Sequence, residues 1–329
     1  MNHRRRPPGV PMCYSAQILQ EYKHYVRLWG ADISIRDYVR IYWERTQNAK
    51  LKLPKAMDAN FRAPRNTDEQ QIQEWIETYD AQQTSTLQQE IFKQRKRLAD
   101  AERTLSIKTT KAATESQRIA RDKVAWALAK LADLKRNEPQ ERDSRIFPGW
   151  YAPVMVMENG KRVLKPMRYQ CRPAGKPAFY DVKYPGCYNA RRDSLEGFWK
   201  GQFGVSHGLV VMNAFFENVA RHKIERRELA EGESEENVIL EFRPRPAHDM
   251  LVACLWSHWK EGETELLSFA AITDEPPAEI AAAGHDRCII PIKPENIDAW
   301  LAPDPGKLAM QYAILEDRDR PYYEHRMAA

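Results

Sequence analysis

Glycine, cysteine and long apolar runs are all scarce in this sequence of 329 residues. With only 14 glycines and 5 cysteines, the chain is neither collagen-like nor a small disulfide-rich domain. Its longest apolar runs, such as Met250 to Trp256, are much shorter than the roughly 20 residues of a membrane-spanning helix. The length allows one large domain or two smaller ones, with enough apolar residues for a core.

The N-terminus and the cysteines indicate neither secretion nor metal binding. The basic N-terminus is not followed by the apolar segment of a secretory signal. The cysteines are Cys13, Cys171, Cys187, Cys254 and Cys288. They form no Cys-x-x-Cys pair and no spacing typical of a zinc site or a disulfide framework. We therefore expect a cytoplasmic protein, nucleoid-associated if bacterial, with no metal, no cofactor and no membrane partner.

A long stretch without glycine predicts helices. No glycine lies between Gly30 and Gly149, and neither glycine nor proline lies between Pro64 and Pro139. Good helix formers fill this stretch, and apolar residues recur at steps of three and four. These apolar residues are Ile72, Trp75, Ile76, Tyr79, Leu87, Ile91, Leu98, Leu105, Val124, Leu128, Leu131 and Leu134. The pattern predicts two long antiparallel helices with a turn near residues 106–114.

The formal net charge of +5 is unevenly distributed along the chain. From Lys93 to Arg136 there are thirteen lysines and arginines against five acidic residues, an excess of eight (13 − 5). Two interpretations of this basic hairpin stay open. It is either a solvated helical surface or a surface that follows nucleic-acid phosphates and binds in a salt-sensitive way.

The segments on either side of the hairpin differ in character. Before it, Ser15 and Ser34 are expected to cap two helices, the first over residues 16–29. After Pro148, short runs rich in Val, Ile, Tyr and Phe alternate with turn residues and predict a mostly antiparallel sheet. The predicted strands span residues 151–157, 162–169, 208–216, 238–243, 250–256, 266–273 and 287–292. Short helices are predicted at residues 193–200, 278–284 and 294–301.

The expected fold class is therefore α+β, with a mostly antiparallel β-sheet core, flanking helices and a long helical-hairpin insertion. Four segments are predicted along the chain. They are residues 1–11 as a leader or a misassigned start, 12–63 as a helical N-terminal part, 64–139 as the basic hairpin insertion, and 140–329 as the main β-rich domain.

Common phosphate-loop, dinucleotide, zinc-protease and serine-hydrolase motifs are missing, but Cys13 has a distinctive position. If translation started at Met12 and that methionine were removed, Cys13 would carry both a free α-amine and a thiol. Such a pair condenses with an aldehyde to an imine, which the thiol closes to a thiazolidine. The alternative is an inert cysteine that follows a methionine by chance.

Other polar residues lie next to predicted strands and turns. Asn189 follows a Pro-Gly turn, Glu217 ends the most apolar predicted strand, and His285 precedes another strand. A carboxylate at the end of an apolar strand can have a raised pKa and serve as a general acid or base. The alternative is that Glu217 is exposed and that His285 is an ordinary loop histidine.

Taken together, these segments resemble the SOS response-associated peptidase (SRAP) family, abasic-site processing proteins that crosslink covalently to abasic DNA. The matching segments are Met12-Cys13, Tyr188-Asn189-Ala190-Arg191, Phe215-Phe216-Glu217 and His285-Asp286-Arg287, supported by Tyr151-Ala152-Pro153, Lys165–Tyr169 and Asp193-Ser194. They occur in the family's order. The opening Met12-Cys13-Tyr14-Ser15 is similar to a variant branch of the family. The resemblance covers residues 12–30 and 145–301.

The resemblance implies a role for each residue of a site. Cys13 would be the N-terminal nucleophile that forms a thiazolidine with the ring-opened deoxyribose. Asn189 would hold the amine and the sugar, and Glu217 would act on the amine and on imine formation. His285 would handle the proton of the sugar hydroxyl, and Thr273 is a weaker candidate for the pocket wall.

The resemblance also implies contacts with DNA. Arg168, Arg191 and Arg287 would bind DNA, although for Arg287 an ion pair with Asp286 is favoured. Three departures weaken the expected groove contacts. Tyr14-Ser15 stands where the family has Gly-Arg. Asn218 stands where the family has Trp after the glutamate, and Gln170 stands where it has Gly after the aromatic residue.

The expected function is abasic-site processing in the DNA damage and SOS response. The protein would bind DNA that contains abasic sites, single-stranded DNA above all, and crosslink to it through Cys13. Two alternatives stay open: a cysteine peptidase that removes its own leader, and a non-catalytic DNA- or protein-binding module with a vestigial site. The sequence does not indicate the oligomeric state.

Overall fold

The computed structural model describes residues 15–225 and 227–328, so Cys13 and the predicted leader lie outside the described residues. The helices are α1 (Tyr22–Trp29), α2 (Ile35–Gln47), α3 (Lys55–Asp58), α4 (Thr67–Ile107), α5 (Lys111–Lys135), α6 (Tyr180–Lys183), α7 (Arg221–Ile224), α8 (Ala278–Ala282), α9 (Ile297–Leu301) and α10 (Leu308–Glu316). None of these described helices has the length and apolar character needed to cross a membrane.

The strands form one large sheet. They are β1 (Ser15–Ile18), β2 (Asp32–Ile33), β3 (Arg145–Ile146), β4 (Tyr151–Glu158), β5 (Lys161–Tyr169), β6 (Asn189–Arg191), β7 (His207–Ala220), β8 (Asn237–Arg245), β9 (Met250–Glu261), β10 (Thr264–Asp274), β11 (Cys288–Ile289), β12 (Pro291–Ile292) and β13 (Tyr322–Met327). Most pairings are antiparallel, whereas β10 runs parallel to β5 and β6, and β2 runs parallel to β5. The predicted α+β class with a mostly antiparallel sheet is confirmed.

The central strands of the sheet close on themselves. β7 pairs with β9, β9 with β10, β10 with β5, β5 with β4, and β4 again with β7. Their inner side chains form the core, in which the Phe215 and Phe242 rings stack with centroids 5.2 Å apart. Because both faces of β7 are buried, apolar residues predominate along it and do not alternate strictly with polar ones.

The chain divides into two compact units. One contains the described residues up to Tyr38, Leu51–Asn60 and the described residues from Glu141 onward, and it holds the sheet. The other contains Val39–Lys50 and Phe61–Gln140, and it holds the long hairpin. The domain limits inferred from the sequence stay a prediction.

Helices α4 and α5 form the predicted antiparallel hairpin, and residues 108–110 connect them. The side chains of Asn66 and Thr110 cap the two helices by accepting backbone N–H groups. Along α5 the buried positions are alanines spaced seven residues apart, Ala113, Ala120 and Ala127. Small side chains at this spacing let two helices approach closely. Leu128 of the expected apolar stripe is exposed instead.

One predicted helix begins too early, and another is wrong. The first turn of the helix expected over residues 16–29 is strand β1, whose four residues are all buried and pair with β7 and β3. Tertiary pairing has overridden a helical pattern there, and only α1 remains, ended by Gly30 in the left-handed conformation. Residues 193–200 form mainly turns after a short 3₁₀ helix at Arg192–Ser194.

A substitution at Gly208 tests how tightly the sheet is packed. A Cβ at Gly208 would lie 2.9 Å from Val154 Cγ1 and 3.1 Å from Cys254 Sγ. We expect Gly208→Ala to lower the free energy of unfolding by about 1–3 kcal/mol through overpacking. Gly201→Ala is the matched control, because nothing lies within 4 Å of its added Cβ. Urea unfolding measures both, and equal midpoints for the two variants would contradict this account of the packing.

Candidate active site

A fully buried Glu–His pair lies beside strand β7. Glu217 is within the strand, which continues to Ala220, rather than at its end. His285 belongs to the loop between α8 and β11, and its Nε2 lies 3.0 Å from Glu217 Oε2. Neither side chain is exposed to solvent, so the alternative of an exposed glutamate is wrong, and His285 is a buried histidine within its loop.

The His285 loop is shaped to approach β7. Gly284 has a φ of 91°, in the left-handed region that favours glycine. A Cβ there would lie 3.0 Å from side-chain atoms of Val219 and Lys223. His285 Nδ1 lies 2.9 Å from the carbonyl oxygen of Arg287, and this contact orients the ring. Glycine at position 284 therefore lets the imidazole reach the carboxylate.

The carboxylate of Glu217 decides the protonation of His285. Burial alone favours the neutral ring, but the hydrogen bond and charge of Glu217 outweigh it and raise the pKa of His285. His207 provides the comparison inside the same molecule, because it is buried between Phe203 and Trp300. There burial dominates and lowers the pKa of His207 to about 3.

Asn189 and Thr273 place two unsatisfied polar groups on the same face of the sheet. In the parallel pairing of β6 with β10, Asn189 lies opposite Ala271 and Arg191 opposite Thr273. Residues two apart on a strand share a face. Asn189 Oδ1 accepts a 3.4 Å hydrogen bond from the Tyr169 hydroxyl. Among the described residues, Asn189 Nδ2 and Thr273 Oγ1 are buried without a partner, and such groups are available to a ligand.

The three arginines expected to bind DNA differ in their surroundings. Arg191 is half-exposed and forms a two-point ion pair with Asp193, the shorter contact being 2.5 Å. Arg168 donates to Asp181 at 2.8 Å, and Asp181 also binds a second arginine. Arg287 Nε lies 4.0 Å from Asp286, the partner favoured from the sequence.

Arg145 is a residue that the sequence pattern did not single out. Its Nε donates to Ser15 Oγ at 3.0 Å, and its guanidinium lies 3.7 Å from the centre of the Phe216 ring. Only the pairing of β1 with both β3 and β7 brings these residues together. No sequence motif carries that information. Cys13 itself lies outside the described residues, two positions before Ser15.

Gln170, one of the departures from the family pattern, is accommodated by hydrogen bonds. Its φ is 143°, a conformation that L-residues rarely adopt and that glycine adopts freely. Its backbone N–H donates to the Phe269 carbonyl at 3.1 Å, and its side chain donates to the Asp181 carbonyl at 3.0 Å. The side-chain hydrogen bond of Gln170 therefore stabilises a backbone conformation at a position where the family that this sequence resembles has glycine.

The other cysteines are poorly suited to nucleophilic chemistry. Burial raises the pKa of Cys171 to about 12 and that of Cys187 to about 11. It also raises the pKa of Cys254 and Cys288. Since the thiolate is the nucleophile, these thiols are unreactive at neutral pH. In the described part of the chain, no group of three or more His, Cys, Asp or Glu residues is arranged to hold a metal ion.

Replacing Glu217 tests the origin of the raised His285 pKa. In Glu217→Gln we expect the pKa of His285 to fall below its ordinary value of about 6.5, because burial then acts unopposed, as at His207. The folding stability that His285 protonation contributes is fully present below about pH 6.5 and is lost as the pH rises through the raised pKa. The variant should lose this pH-dependent contribution.

NMR titration of the His285 ring measures the effect. Glu241→Gln is the matched control, because Glu241 is a buried carboxylate on the adjacent strand β8 whose partners are arginines. It should leave the His285 titration unchanged. An unchanged His285 pKa in Glu217→Gln would show that the carboxylate is not its cause.

Comparison with known proteins identifies the family of this chain. Solved structures with partial similarity include a protein from Bordetella bronchiseptica (12% identity, TM-score 0.43), a protein from Bacteroides thetaiotaomicron (11%, 0.44) and a phage-related protein from Bordetella bronchiseptica (20%, 0.41). Each similarity covers 56% of this chain, and 87%, 78% and 81% of those chains respectively. No curated protein matches the chain significantly. The family model described as SOS response associated peptidase (SRAP) matches residues 103–327. The chain therefore belongs to the SRAP family, which is associated with DNA damage and abasic-site processing.

Proposed function

We propose that this protein captures abasic sites in single-stranded DNA covalently, through a mature N-terminus at Cys13. The observation that carries the proposal is the buried Glu217–His285 pair, which lies next to the point where the described chain begins. Ser15 pairs with Phe216, the residue before Glu217. Two residues of chain span at most about 7 Å, which limits how far the Cys13 Cα lies from that of Ser15.

The chemistry requires an amine, a thiol and a proton relay. The α-amine of Cys13 attacks the aldehyde of the ring-opened sugar, and the carbonyl oxygen leaves as water when the imine forms. The thiol then adds to the imine carbon, and its proton passes to the nitrogen to complete the thiazolidine ring. Glu217 accepts and returns the amine protons, and His285 serves the sugar hydroxyl.

Asn189 is proposed to position the reacting sugar. Its buried Nδ2 has no partner among the described residues and therefore provides a free donor. The Tyr169 hydroxyl holds the other end of the amide at Oδ1. A buried donor without a partner costs free energy that a ligand oxygen would recover.

Arg145 is proposed to supply the positive charge that the family's arginine provides at the position of Ser15. The resembling family has arginine where this chain has Ser15, so a phosphate contact is missing there. The guanidinium of Arg145 reaches the Ser15 hydroxyl from the neighbouring strand β3. A guanidinium suits phosphate because its donors match two oxygens at once.

The direct test uses protein that begins at Cys13 and a single-stranded oligonucleotide with one abasic site. A heat-stable, slower-migrating band is expected with wild type and is expected to be absent with Cys13→Ala. Glu217→Gln should slow adduct formation roughly 100-fold or more, in line with the loss of general acid–base catalysis. The matched controls are Cys187→Ala and Glu241→Gln, which should react at the wild-type rate. Equal adduct formation by wild type and Cys13→Ala would refute the proposal.

The residues before Met12 provide a second test. A chain that retains residues 1–11 has the Cys13 amine in a peptide bond, so it should form no thiazolidine. Intact mass spectrometry shows whether the leader is retained, and the same oligonucleotide assay measures adduct. A heat-stable adduct from chains whose mass includes the leader would contradict the mechanism. Loss of the leader without any other protein present would support the peptidase alternative for that step.

A further inference from the structure

Positively charged side chains line one face of the α4–α5 hairpin. Two contacts between the helices mark this face: Arg97 Nε donates to Ser116 Oγ at 2.9 Å, and Lys123 Nζ lies 4.0 Å from Glu90 Oε1. Arg97 lies seven residues after Glu90, and Ser116 lies seven residues before Lys123. Residues seven apart lie on one side of a helix. Both contacts therefore lie on the same side of the hairpin, which we call the lysine face.

The lysine face bears cations that have no carboxylate partner. Lys93 and Lys96 line a groove of about 500 Å³ with Arg97 near the tip of the hairpin. On α5, Lys130 lies seven residues after Lys123 and so on the same side. Within the described residues, no carboxylate lies within 4.0 Å of the charged groups of Lys93, Lys96, Arg97 or Lys130. The groove also contains Asp100, which pairs with Arg103 at 3.2 Å.

Three other arginines of the hairpin, Arg103, Arg118 and Arg121, are paired with carboxylates. Arg118 pairs with Glu115 at 2.6 Å and with Asp122 at 3.0 Å. Arg121 pairs with Glu102 across the helices at 3.1 Å. The unpaired cations of the lysine face are therefore available to a ligand. A partner with regularly spaced negative charges complements it.

An aromatic side chain lies among these lysines. Trp126 is one turn after Lys123 and one turn before Lys130, so the three side chains share a face. Its side chain is 55% exposed although the apolar indole would gain from burial. Exposed aromatic rings between cations are typical of surfaces that bind single-stranded nucleic acid, where the bases stack on the rings.

We propose that the lysine face is a second DNA-binding surface, which holds the phosphate backbone of single-stranded DNA and stacks a base on Trp126. From Ser116 to Lys130 the face extends about 21 Å along the helix, at 1.5 Å per residue. That length accommodates several consecutive phosphates of a single strand. The inference rests on the proposed DNA function and adds a binding surface that Cys13 does not use.

The test is DNA affinity measured by fluorescence anisotropy with the full chain. The probe is a single-stranded oligonucleotide without an abasic site, so no aldehyde contributes to binding. The variant Lys93→Gln/Lys96→Gln/Lys130→Gln should bind about tenfold or more weakly near 0.1 M salt. The slope of log affinity against log salt should fall by about 2, since each lost phosphate contact removes about 0.7. Trp126→Ala should bind about fivefold or more weakly.

The matched control is Arg95→Gln/Arg118→Gln/Arg121→Gln, which removes the same number of positive charges from the same hairpin. Because Arg118 and Arg121 are already paired with carboxylates and Arg95 is about 200° around α4 from Arg97, this variant should keep the wild-type affinity and salt slope. Equal losses in the two triple variants would show that only net charge matters and would overturn the proposal. An unchanged affinity in the lysine variant would also overturn it.

Crosslinking separates this proposal from the function it rests on. At saturating abasic oligonucleotide the lysine variant should give wild-type adduct yield, whereas Cys13→Ala should keep wild-type affinity and form no adduct. An adduct that fails to form in wild type, together with an affinity that still depends on the lysines, would refute the covalent function alone.

Discussion

The buried contact between Glu217 and His285 is the constraint on which the rest of the candidate site depends. Both side chains are completely buried, and two ionisable groups removed from water lose several kcal/mol of solvation each. Their 3.0 Å contact and the second hydrogen-bond contact of His285 Nδ1 offset that cost. The pair therefore requires a sheet and a loop that hold it rigidly, and the tight approach at Gly284 supplies the loop geometry.

The closed sheet brings distant segments of the chain to this pair. β7 carries Glu217 and pairs with β1 at the start of the described chain, while β11 follows directly on the His285 loop. β10 pairs with both β11 and β6, and so links the histidine loop to Asn189. The described cysteines lie deep in the core with raised thiol pKa values, so they do not compete with Cys13 for an aldehyde.

Much of the fold followed from local pattern. The apolar runs after Pro148 match strands β4, β5 and β7 to β10 within a few residues at most ends, and the glycine-free stretch is the long hairpin. Strand β1 was mistaken for a helix because its only reason to be extended is the partner strand, which lies about 200 residues later. Arg145 was not predicted for the same reason, because its role depends on contacts with Ser15 and Phe216 that only the long-range strand pairing creates.

The site was predictable as a set of residue types but not as a geometry. Motif order pointed to Glu217 and His285, whereas the extension of β7 beyond Glu217 and the full burial of both groups required the structure. The count of charged residues showed an excess of positive charge on the hairpin. It did not show which cations are paired, because ion pairs such as Arg121–Glu102 join two different helices.

The most direct test of the account is mass spectrometry of the protein–DNA adduct after proteolysis. The account predicts one modified peptide that begins at Cys13. Its added mass should equal that of the abasic nucleotide fragment minus one water, as thiazolidine formation requires, and the adduct should survive heating without a reducing agent. Modification of a lysine, or of a peptide in which Met12 still precedes Cys13, would contradict the central claim.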